Sequence, residues 1–142
     1  MKGYLVDTNI PSELTRETPD ARVAVFLENA GRESVYLSVM TVGEICKGID
    51  VLPASRKRTA LQEWLDHDVR SWFAGRILPV TESIAERWGH LAAAAKRRGV
   101  AVAVVDGVLA ATAIEHGLTL VTRNIKDFAG LDVALLNPWD EV

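Results

Sequence analysis

Apolar residues recur along this chain in two rhythms. Short runs closed off by turn-prone polar residues alternate with longer stretches in which apolar positions return every third or fourth residue. The first run, Tyr4-Leu5-Val6, stops at Asp7-Thr8-Asn9 and predicts a buried strand that delivers a carboxylate to its own carboxyl end. Pro11 and Ser12 open a short helical stretch reaching about Thr15. Pro19-Asp20 start a second helix, in which Val23, Phe26, Leu27 and Ala30 share a face before Gly31 stops it. Ser34 to Ser38 carries Val35, Tyr36 and Leu37 and predicts a second strand; Thr41-Val42-Gly43-Glu44 opens a helix that runs to about Ile49. Beyond Pro53, Ser55 caps a long helix whose stripe is Leu61, Trp64, Leu65, Val69, Trp72 and Phe73, with Gly75 as its stop.

Arg76 to Val80 predicts a third strand, weakened by Pro79, which lacks a ladder donor. Thr81 caps the next helix, with Ile84, Ala85, Trp88, Leu91, Ala92 and Ala95 inward and Gly99 beyond its end. Apolar Val100 to Val105 leads into a small-residue helix from Asp106 to Gly117. Leu118 to Val121 predicts a fourth strand, and Val133 to Leu136 a fifth, before Asn137-Pro138-Trp139. Parallel strands need crossover connections, so strands alternating with helices predict an α/β fold: three layers, with helices on both faces of a central parallel sheet of four to five strands.

Composition narrows the setting. At 142 residues, 49% hydrophobic and 25% charged, residues 1–142 suit one domain with a sizeable core. The longest apolar stretches fall far short of a bilayer span and the amino terminus lacks a signal-peptide core, so the expectation is a soluble, cytoplasmic protein without membrane attachment. Cys46 is the only cysteine, which rules out an intrachain disulfide or thiolate zinc cluster and suits a reducing compartment; its ordinary use is as a small buried hydrophobe. A net charge of −3 gives no global attraction for nucleic acid, so any such partner must be recognised locally. Arg56, Lys57 and Arg58 lie in the first turn of the long helix, against its dipole; this hints at a surface contact and is equally met by a solvated helix end.

Candidate chemistry lies at the element boundaries: Asp7 after the first strand, Glu44 after the second, Asp106 at a helix start, and Asn124 with Asp127 after the fourth strand. Each has an ordinary structural use. Asp7 and Asp106 suit helix N-caps, Thr41 and Glu44 match a capping box, and Asp127 suits a turn. In a parallel sheet, however, the carboxyl ends of the strands share one rim, where groups far apart in sequence converge. Carboxylates so assembled raise one another's pKa unless a cation sits among them. Oxygen donors without cysteine or paired histidine select Mg²⁺ or Mn²⁺, and His67, His90 and His116 are isolated. Such an ion polarises phosphoryl oxygens and activates water, so phosphodiester hydrolysis is the expected reaction.

Leu5-Val6-Asp7-Thr8-Asn9, Thr41-Val42-Gly43-Glu44, Val105-Asp106-Gly107 with Leu109-Ala110-Ala111-Thr112-Ala113, and Thr122-Arg123-Asn124 with Asp127-Phe128 together resemble a PIN domain across essentially the whole chain. The likeness is to the VapC toxins of type II toxin–antitoxin pairs, and the Asn137-Pro138-Trp139 ending resembles their FitB-type branch. The resemblance implies a Mg²⁺- or Mn²⁺-dependent endoribonuclease acting on RNA, with Asp7, Glu44 and Asp106 as its acidic core and metal ligands. It implies that Thr122 is the hydroxyl residue beside them. Two residues compete for the fourth position: Asn124, where some members carry Asp, and Asp127 of the Asp-Phe pair. The resemblance also implies a homodimer, a VapB-like antitoxin partner, and operator DNA reached through that antitoxin. Two rival readings are a catalytically degenerate PIN-fold binding module and aspartyl-phosphate phosphatase chemistry. Intact Asp7, Glu44 and Asp106 weigh against the first; the second needs an acid where Asn9 stands.

Overall fold

Five short parallel strands form the centre of the computed structural model, which describes residues 3–140. They are β1 (Tyr4–Val6), β2 (Val35–Ser38), β3 (Ile77–Leu78), β4 (Thr119–Val121) and β5 (Leu135–Leu136), in the order β3-β2-β1-β4-β5. In the middle, Leu5 of β1 pairs with Tyr36 of β2 and with Leu120 of β4. The chain builds outwards through β2 and β3, then returns to add β4 and β5 on the other side. Strand order therefore reverses between β1 and β4, and the crevice outside their carboxyl ends is the place where open parallel sheets bind ligands.

The helices are α1 (Asn9–Glu13), α2 (Ala21–Ala30), α3 (Val39–Asp50), α4 (Arg56–Glu63), α5 (Arg70–Trp72), α6 (Glu82–Arg97) and α7 (Val104–His116). Successive strand residues point to opposite faces, and the core divides accordingly. Val6, Val35, Leu37 and Val121 pack with Ile10, Val23, Ile45, Leu65, Val69 and Phe73, whereas Leu5 and Leu120 pack with Leu109, Ala110, Ala113 and Phe128. Fully burying a side chain such as Leu5 or Leu109 contributes roughly 1.5–3 kcal/mol. The small residues of α7 let it lie close to the sheet. At Gly107 the neighbour is α6: a Cβ there would stand 2.7 Å from Trp88 Cδ1, so only glycine permits this approach.

Several boundaries differ from the sequence expectation. The helix after β2 starts at Val39, not Thr41, because Ser38 supplies the cap, its hydroxyl accepting from the Met40 amide at 3.0 Å. Thr41 and Glu44 therefore form no capping box; the Thr41 hydroxyl is buried without a hydrogen-bond partner among the described residues. The helix beginning at Ser55 is not uniformly α: Trp64–Val69 is a π segment between α4 and α5. Leu61, Leu65, Val69 and Phe73 recur every fourth residue, a spacing that drifts about 40° per step on a 3.6-residue helix. The wider π turn takes up that drift and keeps Leu65, Val69 and Phe73 buried. β3 shrinks to two residues ahead of Pro79, and β5 covers only the last two of its expected four.

Candidate active site at the carboxyl rim

Asp7 follows the central strand and is only 8% exposed. Its Oδ1 accepts from the Thr8 amide at 2.7 Å and its Oδ2 from the Thr122 hydroxyl at 2.9 Å. Asp7 is thus not a helix cap; its side chain is fixed across the switch point between β1 and β4. The Thr122 hydroxyl, wholly buried, also accepts from the Asn124 amide at 3.0 Å and from Asn9 Nδ2 at 3.4 Å, and Asn9 Oδ1 accepts from the Arg123 amide at 3.2 Å. Sequence reasoning alone does not place Asn9 in the site, although its position two residues after Asp7 is the signal that could. Committed to Thr122 and Arg123, it offers no acid there, which removes the basis for aspartyl-phosphate chemistry.

The carboxyl-terminal Asn137-Pro138-Trp139 segment holds this loop from outside. Asn137 Nδ2 donates to the Arg123 carbonyl at 3.3 Å, Asn137 Oδ1 accepts from the Trp139 amide at 2.9 Å, and the Arg123 guanidinium lies 4.9 Å from the centre of the buried Trp139 ring. On the β2 side the restraint is lighter. Glu44, in the second turn of α3 and exposed, accepts among the described residues only from the Thr8 hydroxyl, at 3.4 Å. Asp106 is in the first turn of α7 and half-buried; Ala103 occupies the cap position, so Asp106 is not the N-cap. Asp127 is exposed on the 3₁₀ turn Ile125–Phe128, and Asn124, also exposed, precedes that turn without capping it through its side chain.

Electrostatics ties these groups together. Burial pushes the Asp7 carboxyl above its ordinary value; the Thr8 and Thr122 hydrogen bonds oppose the rise and the Asp127 charge adds to it. Desolvation, then the charges of Asp7, Asp127 and Glu44, push Asp106 up to about 6. Asp106 therefore lies within the field of Asp7, Asp127 and Glu44, and Asp7 within that of Asp127. Among the described residues, no three or more His, Cys, Asp or Glu side chains are arranged to hold an ion by themselves. The donors gathered at the rim are carboxylate oxygens, a set unlike the thiolate and imidazole ligands of a closed zinc site and of the type Mg²⁺ takes, one or two at a time with several waters. An apolar recess of about 520 Å³, lined by Ile10, Pro11, Leu14, Trp64 and Trp72 among others, contains none of these acids.

The family profile of the PIN domain matches residues 4–133. The chain belongs to the PIN-domain family. Within it, this PIN domain is similar to Toxin FitB of Neisseria gonorrhoeae, at 41% identity over 137 residues covering 96% of this chain and 99% of the relative. It is also 35% identical to VapC ribonuclease Y4jK of Sinorhizobium fredii, across 96% of this chain and 97% of that one. Among solved structures it superposes on FitAcB from Neisseria gonorrhoeae with a TM-score of 0.90 at 40% identity, covering 97% of this chain and 99% of that chain. VapBC2 from Rickettsia felis, bound to a DNA fragment from its promoter, gives 0.80 at 26% identity, covering 94% and 97%. The α/β/α layering and five-stranded parallel sheet match those neighbours. No helix of the described residues is long and apolar enough to cross a membrane.

Proposed function

We propose that this PIN domain is a divalent-metal-dependent endoribonuclease, the toxin of a VapBC-type toxin–antitoxin module, hydrolysing RNA phosphodiester bonds with Mg²⁺ or Mn²⁺. The observation that carries this reading is the electrostatic coupling of Asp7, Glu44 and Asp127 to Asp106 at one rim, an arrangement that is costly unless it serves a cation. The ribonuclease names of its relatives point the same way.

Asp7 and Asp106 are the direct ligands, and Glu44 positions a water or a second ion. Thr122 and Asn9 are positioning residues: their hydrogen bonds set the Asp7 carboxylate before anything binds. Asp127 accepts a hydrogen bond from the attacking water, while Asn124 orients substrate or a neighbouring carboxylate. When bound, the ion polarises a phosphoryl oxygen and lowers the pKa of water to a range useful near neutrality. The protein as purified should cleave bulk tRNA or rRNA in Mg²⁺ and stop in EDTA. Intact RNA after prolonged incubation in Mg²⁺ or Mn²⁺ would leave the degenerate binding module as the better reading.

The partners proposed are a VapB-like antitoxin, operator DNA through that antitoxin, and a second copy of the chain. The basis is likeness to FitAB and VapBC complexes, including FitAB bound to an IR36 DNA fragment. A protein partner would bring a cation to the rim, replacing the ion's charge. Trp64 and Trp72 are half-buried against the core and also line the apolar recess, where a partner's apolar side chains would be shielded from water. Light scattering tests the homodimer; a monomer at micromolar concentration counts against it.

A further inference from the structure

The acidic rim continues sideways into a cleft of about 580 Å³ between α1, α3 and α4. Thr8 and Glu44 stand where the cleft meets the rim; Ser12 continues the wall one helical turn on, and Arg16 and Lys57 also line it. Arg16 is largely exposed and, among the described residues, pairs only with Glu13, one guanidinium nitrogen lying 3.5 Å from its carboxylate, so that its remaining N–H donors are open to a ligand in the cleft. Lys57 comes from the basic triplet in the first turn of α4, and among the described residues it has no ion pair of its own. Its neighbour Arg58 instead reaches Asp50 at 3.6 Å. On the opposite flank, Asp106 and Asp127 line a second recess, of about 620 Å³, together with Lys126. The carboxylates thus lie between two clefts, each with a cation on its wall. None of the residues lining the first cleft is aromatic, so it offers no platform for stacking bases.

We propose that the cleft between Thr8 and Lys57 is the track for the sugar–phosphate backbone of single-stranded RNA. Arg16 and Lys57 bind phosphates on one side of the bond to be cut, and Lys126 binds a phosphate on the other. This rests on the ribonuclease reading and deepens it: a chain of net charge −3 needs local cations to hold a polyanion beside its own acids. Without stacking, these cations set affinity and register and leave base preference elsewhere.

The test is fluorescence anisotropy of the full chain with a short labelled single-stranded RNA in EDTA across a salt series, paired with cleavage kinetics in Mg²⁺. Arg16→Ala with Lys57→Ala should weaken binding about 10-fold at low salt and lower the salt slope by about 0.7 for each phosphate no longer neutralised. KM should rise while kcat holds within about 3-fold, the split expected of residues that bind away from the reacting atoms. Gly48→Glu should also weaken binding without harming the fold, because a Cβ at Gly48 meets nothing within 4 Å and the new charge lines the cleft. Arg56→Ala, at the same helix end but outside the cleft lining, should leave binding unchanged. Unchanged affinity and slope in the double variant, an equal loss from Arg56→Ala, or no RNA binding by the wild-type chain at low salt would each overturn the proposal. Graded RNA binding without cleavage by the wild-type chain would sink the ribonuclease reading and leave this one standing. Cleavage with an unmoved KM in the double variant does the reverse.

Discussion

The two sides of the acidic rim are built differently. On the β4 side, Asp7 is buried and held by Thr8 and Thr122, which in turn is held by Asn124 and Asn9, with Asn137 and Trp139 bracing the loop from outside. On the β2 side, Glu44 is exposed, accepts a long 3.4 Å hydrogen bond from Thr8, and opens directly on the cleft. A group whose rotamer is locked by several bonds enters a reaction already placed, whereas a loosely held one can follow the substrate. Under the proposed function, the clamped side would serve metal ligation and the loose side water and RNA.

The largest expected effect tests whether the coupled acids are catalytic at all. Asp106→Asn should reduce RNA cleavage to background while leaving the circular dichroism spectrum unchanged; substantial activity in that variant would remove Asp106 from the site. Next, Thr122→Val takes the buried donor from Asp7. Cleavage should fall by about 10–100-fold, the range for groups that orient metal ligands. Stability should fall by roughly 1–3 kcal/mol in urea unfolding, because a buried acceptor loses its partner. If Glu44→Gln proved as sensitive in stability as Thr122→Val, the contrast between clamped and loose sides would collapse.

Asp127→Asn should lower cleavage by about 10–100-fold without abolishing it, and wild-type activity would show that the residue beside Phe128 is purely structural. Asn124→Asp should lower the Mg²⁺ concentration needed for half-maximal cleavage at neutral pH; no change would place position 124 away from the ion. The smallest effect concerns stability. With its pKa raised from 3.8 to about 6, folded Asp106 keeps a proton that the unfolded chain gives up across that range. Its contribution is present below about pH 4 and lost as pH rises through about 6. In EDTA at pH 7, Asp106→Asn should therefore melt higher than wild type, and the advantage should vanish near pH 4. Equal melting temperatures at both pH values would mean that the acids do not strain the rim.

Much of the fold was legible because its determinants are local. Tyr4-Leu5-Val6 reads as a strand from three residues, and Thr81 caps α6 at Ile84 as its position suggests. The start of α3 shows the limit: Ser38 and Thr41 are both acceptable caps, and the pairing of Val35 and Tyr36 with β1 decided between them. The π segment escaped for a similar reason, since an apolar stripe every four residues looks α-helical until it must stay on one flat sheet face.

Sequence alone determined which acids were available, the order of strands and helices, and the lack of a cysteine cluster or paired histidines, since residue identity and hydrophobic period carry that information directly. Tertiary structure decided that Thr122, 115 residues from Asp7, donates its hydroxyl to that carboxylate, and that Asn9 turns back to brace Thr122. It also decided that Lys57 shares a cleft with Glu44 and that Lys126 does so with Asp106. Hydrogen bonds and Coulomb fields act over a few ångströms of space; the reversal of strand order at β1 and β4 brings Asp7 and Thr122 within that range, and the packing of α4 on α3 brings Lys57 to the cleft of Glu44.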